Sequence, residues 1–144
     1  MPTRALALFL LATSLGCLPE EAAPTDHPAR RATYHAALEA ELGAAWAAPV
    51  PGVDDADAAQ GAEVFTKSCA ACHGATGDGK GPRAGALDPK PAALDRSPLT
   101  EAGWYAVLQR GSPQTSMAPW GTRLSEAQLL AVLKHLRTLR APPR

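Results

Sequence analysis

Five consecutive residues carry the clearest chemistry in the chain. Cys69-Ala70-Ala71-Cys72-His73 sets two thiols three positions apart and puts an imidazole directly after the second. On the end of a helix, thiols at that spacing face the same side, so both can add to the two vinyl groups of one haem. The next residue then aims a ring nitrogen at the iron from that face. C-x-x-C-H is the spacing of c-type haem attachment. Three other chemistries use a C-x-x-C pair. Structural zinc needs four ligands, usually from two such pairs, and only one pair exists here. A redox dithiol expects a βαβ setting, which the sequence lacks. A plain disulfide leaves His73 without a role.

A second axial ligand can be sought by elimination. The chain has two methionines, Met1 and Met117. Met1 heads a segment read below as a signal, which leaves Met117 as the thioether of the mature chain. It sits in Thr115-Ser116-Met117-Ala118-Pro119-Trp120, between two expected helices. A core methionine usually fills gaps from a helix face, so one beside proline in a loop is poorly explained by packing. The rival ligands are His27 in a tether, His35 on the polar side of a helix, and His135 among leucines on the last helix. His135 reads better as a packed ring. His/Met ligation raises the potential relative to bis-His. A filled sixth position suits outer-sphere electron transfer, not capture of a small molecule.

These residues need elements to position them. Arg31 to Ala47 is strong helix former, with Tyr34, Leu38, Leu42 and Trp46 recurring about every fourth residue. It breaks at Pro49-Val50-Pro51-Gly52. This helix either packs on the domain surface, the favoured reading, or docks a membrane partner. Asp57 with Gln60 predicts a capping box for a helix over Ala58–Lys67. Thr100 can cap Glu101–Arg110, closed by Gly111. Ser125 with Gln128 predicts another capping box for a final helix carrying Leu129, Val132, Leu133 and Leu136 on one face. Residues 74–99 and 112–122 read as long loops, unusual in so small a domain without a functional reason. No run alternates with period two. The expected class is all-α.

The N-terminus reads as an address. Behind Arg4, an apolar run from Ala5 to Leu15 is too short to span a bilayer, which needs roughly 20 residues, but fits a signal-peptide core. Ser14-Leu15-Gly16-Cys17 resembles a bacterial lipobox, which implies cleavage before Cys17 and lipidation of its sulfur. More than one acyl chain gives stable anchoring. The expected organisation is a signal at 1–16, a lipid-anchored tether at 17–30, a helix and Pro-rich break at 31–52, and the functional domain at 53–144. The tether's Pro/Glu/Ala-rich residues would span roughly 20 Å as flexible coil.

Across nearly all of Val53–Leu139 the domain resembles the class I cytochrome c family. Gly61-x-x-x-Phe65 is similar to the family's first helix, where glycine admits a close crossing by the last. His73-Gly74-x-x-Gly77-x-Gly79 and Gly81-Pro82 are similar to the loop beneath the proximal histidine. The likeness makes Pro82 the nearest match to the proline segment that braces it. Met117-Ala118-Pro119-Trp120 is similar to the family's methionine loop, which implies Met117 as distal ligand and Trp120 near a haem propionate. In His135-Leu136-Arg137-Thr138-Leu139 a histidine stands where relatives often carry an aromatic. The resemblance implies three to four short helices wrapped around one covalently attached haem c.

Composition bounds the rest. Hydrophobic residues make up 46% of the 144, and aromatics only 5%, so an apolar cofactor is a natural filler for the core. Formal charge is zero, which argues against bulk nucleic-acid binding. Exposed basic candidates for partner docking are Lys67, Lys80, Arg83, Lys90 and Arg110. Three functions are expected in order: a membrane-tethered electron carrier between redox proteins on the periplasmic side of a bacterial membrane; a haem c subunit docked permanently in a larger membrane respiratory complex; and, last, an enzyme or gas sensor with an open iron site. The leading reading is not an enzyme and has no small-molecule substrate.

Overall fold

The computed structural model describes residues 27–140. The expected signal segment, Cys17 and most of the expected tether lie outside the described residues. Five α-helices follow in order: α1 His27–Leu42, α2 Ala58–Ser68, α3 Ala70–His73, α4 Glu101–Arg110 and α5 Glu126–Leu139. Short 3-10 turns cover Gly43–Ala47 and Ala84–Ala86. No strand occurs among the described residues, and none of their helices is long and apolar enough to cross a membrane.

Helix ends follow their capping residues. The Asp57 carboxylate accepts from the backbone N–H of Ala59 and Gln60, at 2.9 and 3.1 Å. The predicted box does not close there, because among the described residues no bond returns from the Gln60 side chain. At α5 it does close: Ser125 Oγ accepts from Gln128 N at 3.2 Å, and Gln128 Oε1 accepts from Ser125 N at 2.9 Å. Thr100 caps α4, and Gly111 ends it at φ 74°.

The first helix departs from the sequence expectation at both ends. It already covers His27, inside the expected tether, and Pro28 is tolerated in a first turn. It stops at Leu42, because Gly43 takes φ 52° and the chain tightens into a 3-10 turn. That turn lays the Trp46 ring on Gly103 of α4, so close that a Cβ there would lie 2.7 Å from it. α1 itself packs on α4. The segment is therefore part of the domain surface.

The core gathers where α2 crosses α5. Val53, Phe65, Val132 and Leu133 are almost wholly excluded from solvent, joined by Leu129, Leu136 and, from α4, Trp104 and Leu108. Burying each large apolar side chain contributes about 1.5–3 kcal/mol. Gly61 permits the crossing: a Cβ on it would stand 2.0 Å from the Ala131 carbonyl oxygen. The Phe65 and His135 rings meet at 5.1 Å between centroids, tilted by 53°. His135 is thus a packed ring, half-buried against α2, as its setting among leucines suggested.

Candidate haem-attachment site

The two loops of the domain are held by one device, used twice. The last carbonyls of a helix lack intrahelical partners. At α3, Gly79 N, Gly81 N and Arg83 N donate to the carbonyls of His73, Cys72 and Ala71, at 2.8, 3.1 and 2.8 Å. Only glycine fits at 81, since a Cβ would stand 2.5 Å from the carbonyl oxygens of both Ala70 and Ala71. At α4, Trp120 N and Gly121 N donate to Leu108 and Gln109, at 2.9 and 3.2 Å. Each loop is thus pinned to the end of the helix before it.

The first loop orients His73. Gly77 O accepts from Leu94 N at 2.5 Å, which brings the segment around Pro91 under the imidazole. His73 Nδ1 then lies 3.0 Å from Ala92 O. A carbonyl only accepts, so Nδ1 carries the proton and Nε2 keeps its lone pair for a metal. Burial holds the His73 pKa below the ordinary histidine value, against the opposing effect of the Ala92 bond. The ring is neutral near pH 7, the form that binds iron. The brace on this histidine comes from Ala92, beside Pro91. Pro82, to which the family likeness pointed, is exposed at the turn under α3. A backbone carbonyl nineteen residues away leaves no side-chain signature, although the prolines at 89 and 91 mark the segment as stiff.

Cys69 ends α2 and Cys72 lies within α3; both are free, partly buried thiols. Burial, with a smaller effect from Cys72, pushes the Cys69 pKa up to about 11. That direction is opposite to the lowered pKa of a redox dithiol's nucleophile. Among the described residues no cluster of three or more His, Cys, Asp or Glu side chains gathers as a metal cage would require. Two thiols and one oriented imidazole are the donor set that haem c needs, so the residues fit that group.

The second loop carries Met117. Its N–H donates to Thr115 Oγ1 at 3.0 Å, and its carbonyl accepts from Ser112 N at 3.0 Å. Gly111, where a Cβ would stand 2.5 Å from Met117 O, lets the loop fold tightly on α4. Cys69, Leu94, Met117 and Trp120 all pack against the same apolar core. The structure thus brings Cys69 and the thioether loop to the same apolar core. The Trp120 ring is partly buried, with the Arg123 guanidinium 5.6 Å from its centroid. The rival histidines are elsewhere engaged. His27 Nε2 lies 3.0 Å from Asp88 Oδ1. His35 is half-buried on the inner face of α1, not on its solvated side as its neighbours suggested.

An all-helical domain with this donor set defines a c-type cytochrome. The chain belongs to the family described as cytochrome c oxidase, cbb3-type, subunit III, whose model matches residues 56–136. As a member of that family the domain holds haem c covalently. Among solved structures it is similar to a chain of the reducing HAO-like protein complex of Kuenenia stuttgartiensis, at 29% identity and a TM-score of 0.52. That match covers 56% of this chain and 41% of the other.

Proposed function

We propose that this chain is an exported, membrane-tethered monohaem cytochrome that passes single electrons between redox proteins. Cys69 and Cys72 are the thioether anchors, His73 and Met117 the axial ligands, and Cys17 the lipid anchor. The observation that carries the reading is the His73 Nδ1–Ala92 O bond, which frees Nε2 beside the two thiols. When bound, the haem supplies one-electron cycling of its iron. The chain's residues do the rest. His73 is held in one tautomer, and the Ala92 bond raises its basicity as a ligand. Met117 is presented by a loop pinned at Ser112, Thr115 and Leu108, which limits reorganisation when the charge changes.

The sulfur-to-iron charge-transfer band of the ferric protein tests the ligation. It should be present in the wild type and lost in Met117→Ala, which should also bind carbon monoxide rapidly when reduced. Rapid carbon monoxide binding by the reduced wild type would instead reveal an open iron site. A second reading is a subunit docked permanently in a larger membrane complex, favoured by the likeness to a chain from a protein complex. Co-purification with such a complex after detergent extraction supports docking; recovery as a lone lipidated monomer supports the carrier.

A further inference from the structure

α1 lies outside the matched family region, yet it reaches both ligand loops. Arg30 Nη1 donates to Gln114 Oε1 at 2.8 Å, three residues before Met117. The next residue turns the other way: Arg31 Nη2 donates to Lys90 O at 3.0 Å, two residues before the carbonyl that holds His73. Tyr34 Oη donates to Gly111 O at 2.9 Å, against the methionine loop. The helix therefore straps one loop to the other. Among the described helices it packs on α4 and its own 3-10 turn, and on neither α2 nor α3. It reaches the site through the two loops and not through the helices that carry the cysteines.

The inner face of this strap changes character along its length. Leu38 and Leu42 face α4, whereas Arg31 and His35, one turn apart, occupy the stretch between the loops and are only partly exposed. The Arg31 charge depresses the pKa of His35, after the larger effect of burial, so the guanidinium stands near that ring. Other partly buried cations have fuller partner sets. Lys134 donates to the carbonyls of Asp54 and Ala56, and Arg137 to two carboxylates. Among the described residues Arg31 has one acceptor, a neutral carbonyl, and no carboxylate. A guanidinium has five donors in a fork shaped for a carboxylate, and a partly buried charge is costly without a counter-ion.

The haem reading proposed above supplies the missing anion, and this inference rests on it. On protohaem the two vinyl groups sit on neighbouring pyrroles and the two propionates on the opposite pair. A ring fastened through its vinyl carbons at Cys69 and Cys72 would turn its carboxylates away from α3, toward the loops that α1 straps. We infer that Arg31 pairs with a haem carboxylate, with His35 as the adjoining hydrogen-bond donor, so that α1 is part of the cofactor site. Arg31 is a positioning and tuning residue: it neutralises a carboxylate whose negative charge would otherwise favour ferric iron.

The test uses the full chain matured with haem, and reads two signals: the carboxylate bending band in resonance Raman spectra and the midpoint potential. Arg31→Gln should shift the band and lower the potential. Arg31→Lys keeps the charge but not the fork; it should shift the band while recovering most of the potential, and it carries the test if Arg31→Gln fails to load haem. Lys67→Gln, which removes an equal charge from the exposed face of α2, should leave both signals unchanged. An unmoved band and potential in a folded, loaded Arg31 variant would overturn the inference. So would a band that moves in Trp120→Phe instead, which would put the carboxylates beside the indole. Absence of a covalent haem c spectrum in the wild type would overturn the haem reading itself, and is distinguishable from either result.

Discussion

Where α2 crosses α5, the backbone of Gly61 lies against the Ala131 carbonyl and large side chains fill the space on either side. The two long loops are built differently. They are rich in glycine and proline, contribute few fully buried side chains, and hang on hydrogen bonds to the carbonyl ends of α3 and α4. The crossing holds itself together by area removed from water. The loops use backbone bonds whose net contribution is only about 1 kcal/mol each. Long segments of this kind lose much conformational entropy on ordering. The contrast teaches that the cofactor belongs to the fold: it offers the loops an apolar surface that the protein, with Phe65 as its one described phenylalanine, does not provide.

The largest test of that contrast removes the cofactor. Cys69→Ala/Cys72→Ala should prevent covalent attachment and leave most of the domain unfolded, with a large loss of helical circular dichroism. A native-like helical spectrum without haem would show that the crossing suffices alone. Gly61→Ala attacks the other side. Its Cβ meets main chain, which cannot rotate away as a side chain would, so the helices must part. We expect a loss on the order of 3 kcal/mol, toward the upper end for overpacking, read as a lower melting temperature of the haem-loaded protein.

A smaller effect lies at the joint between the crossing and the N-terminal break. Glu101 accepts from Arg137 Nε and from Val50 N, the latter at 2.9 Å. Its carboxyl sits below the ordinary value of 4.5, chiefly through the Arg137 bond, with a smaller contribution from Val50 against the opposing effect of burial. A depressed carboxyl stabilises the fold above its unfolded pKa, and that contribution fades as pH falls through the lower folded value. Glu101→Gln should therefore cost about 1 kcal/mol near neutral pH. The difference from wild type should shrink below about pH 4.5, seen in denaturant melts across pH. The smallest effect belongs to the exposed Lys67–Glu63 pair, 2.6 Å apart on one face of α2. Lys67→Ala should leave the melting temperature unchanged. A measurable drop would mean that solvent-facing charge supports the crossing more than exposed pairs usually do.

Much of this protein is local information. Cys-x-x-Cys-His is a five-residue pattern, and caps such as Asp57, Thr100 and Ser125 act within one turn, so residue type and short spacing suffice to read them. The lone methionine beside proline is legible for the same reason. The Gly61 crossing could be anticipated only by family likeness, because nothing near it in sequence names Ala131 as the backbone it must admit. Three features were decided by the tertiary structure alone. The brace on His73 is a main-chain carbonyl, which every residue possesses, so only the loop path selects Ala92 over Pro82. His35 looked solvated from its neighbours, and becomes half-buried because α1 begins early and lies across the ligand loops. In the sequence Arg31 does no more than open a helix-forming run. Its single neutral acceptor and its place between two loops depend on contacts made 59 and more residues away. Short-range chemistry is written in residue identity. Which backbone oxygen meets a ring, and which cation loses its water, follow from how distant segments are brought together.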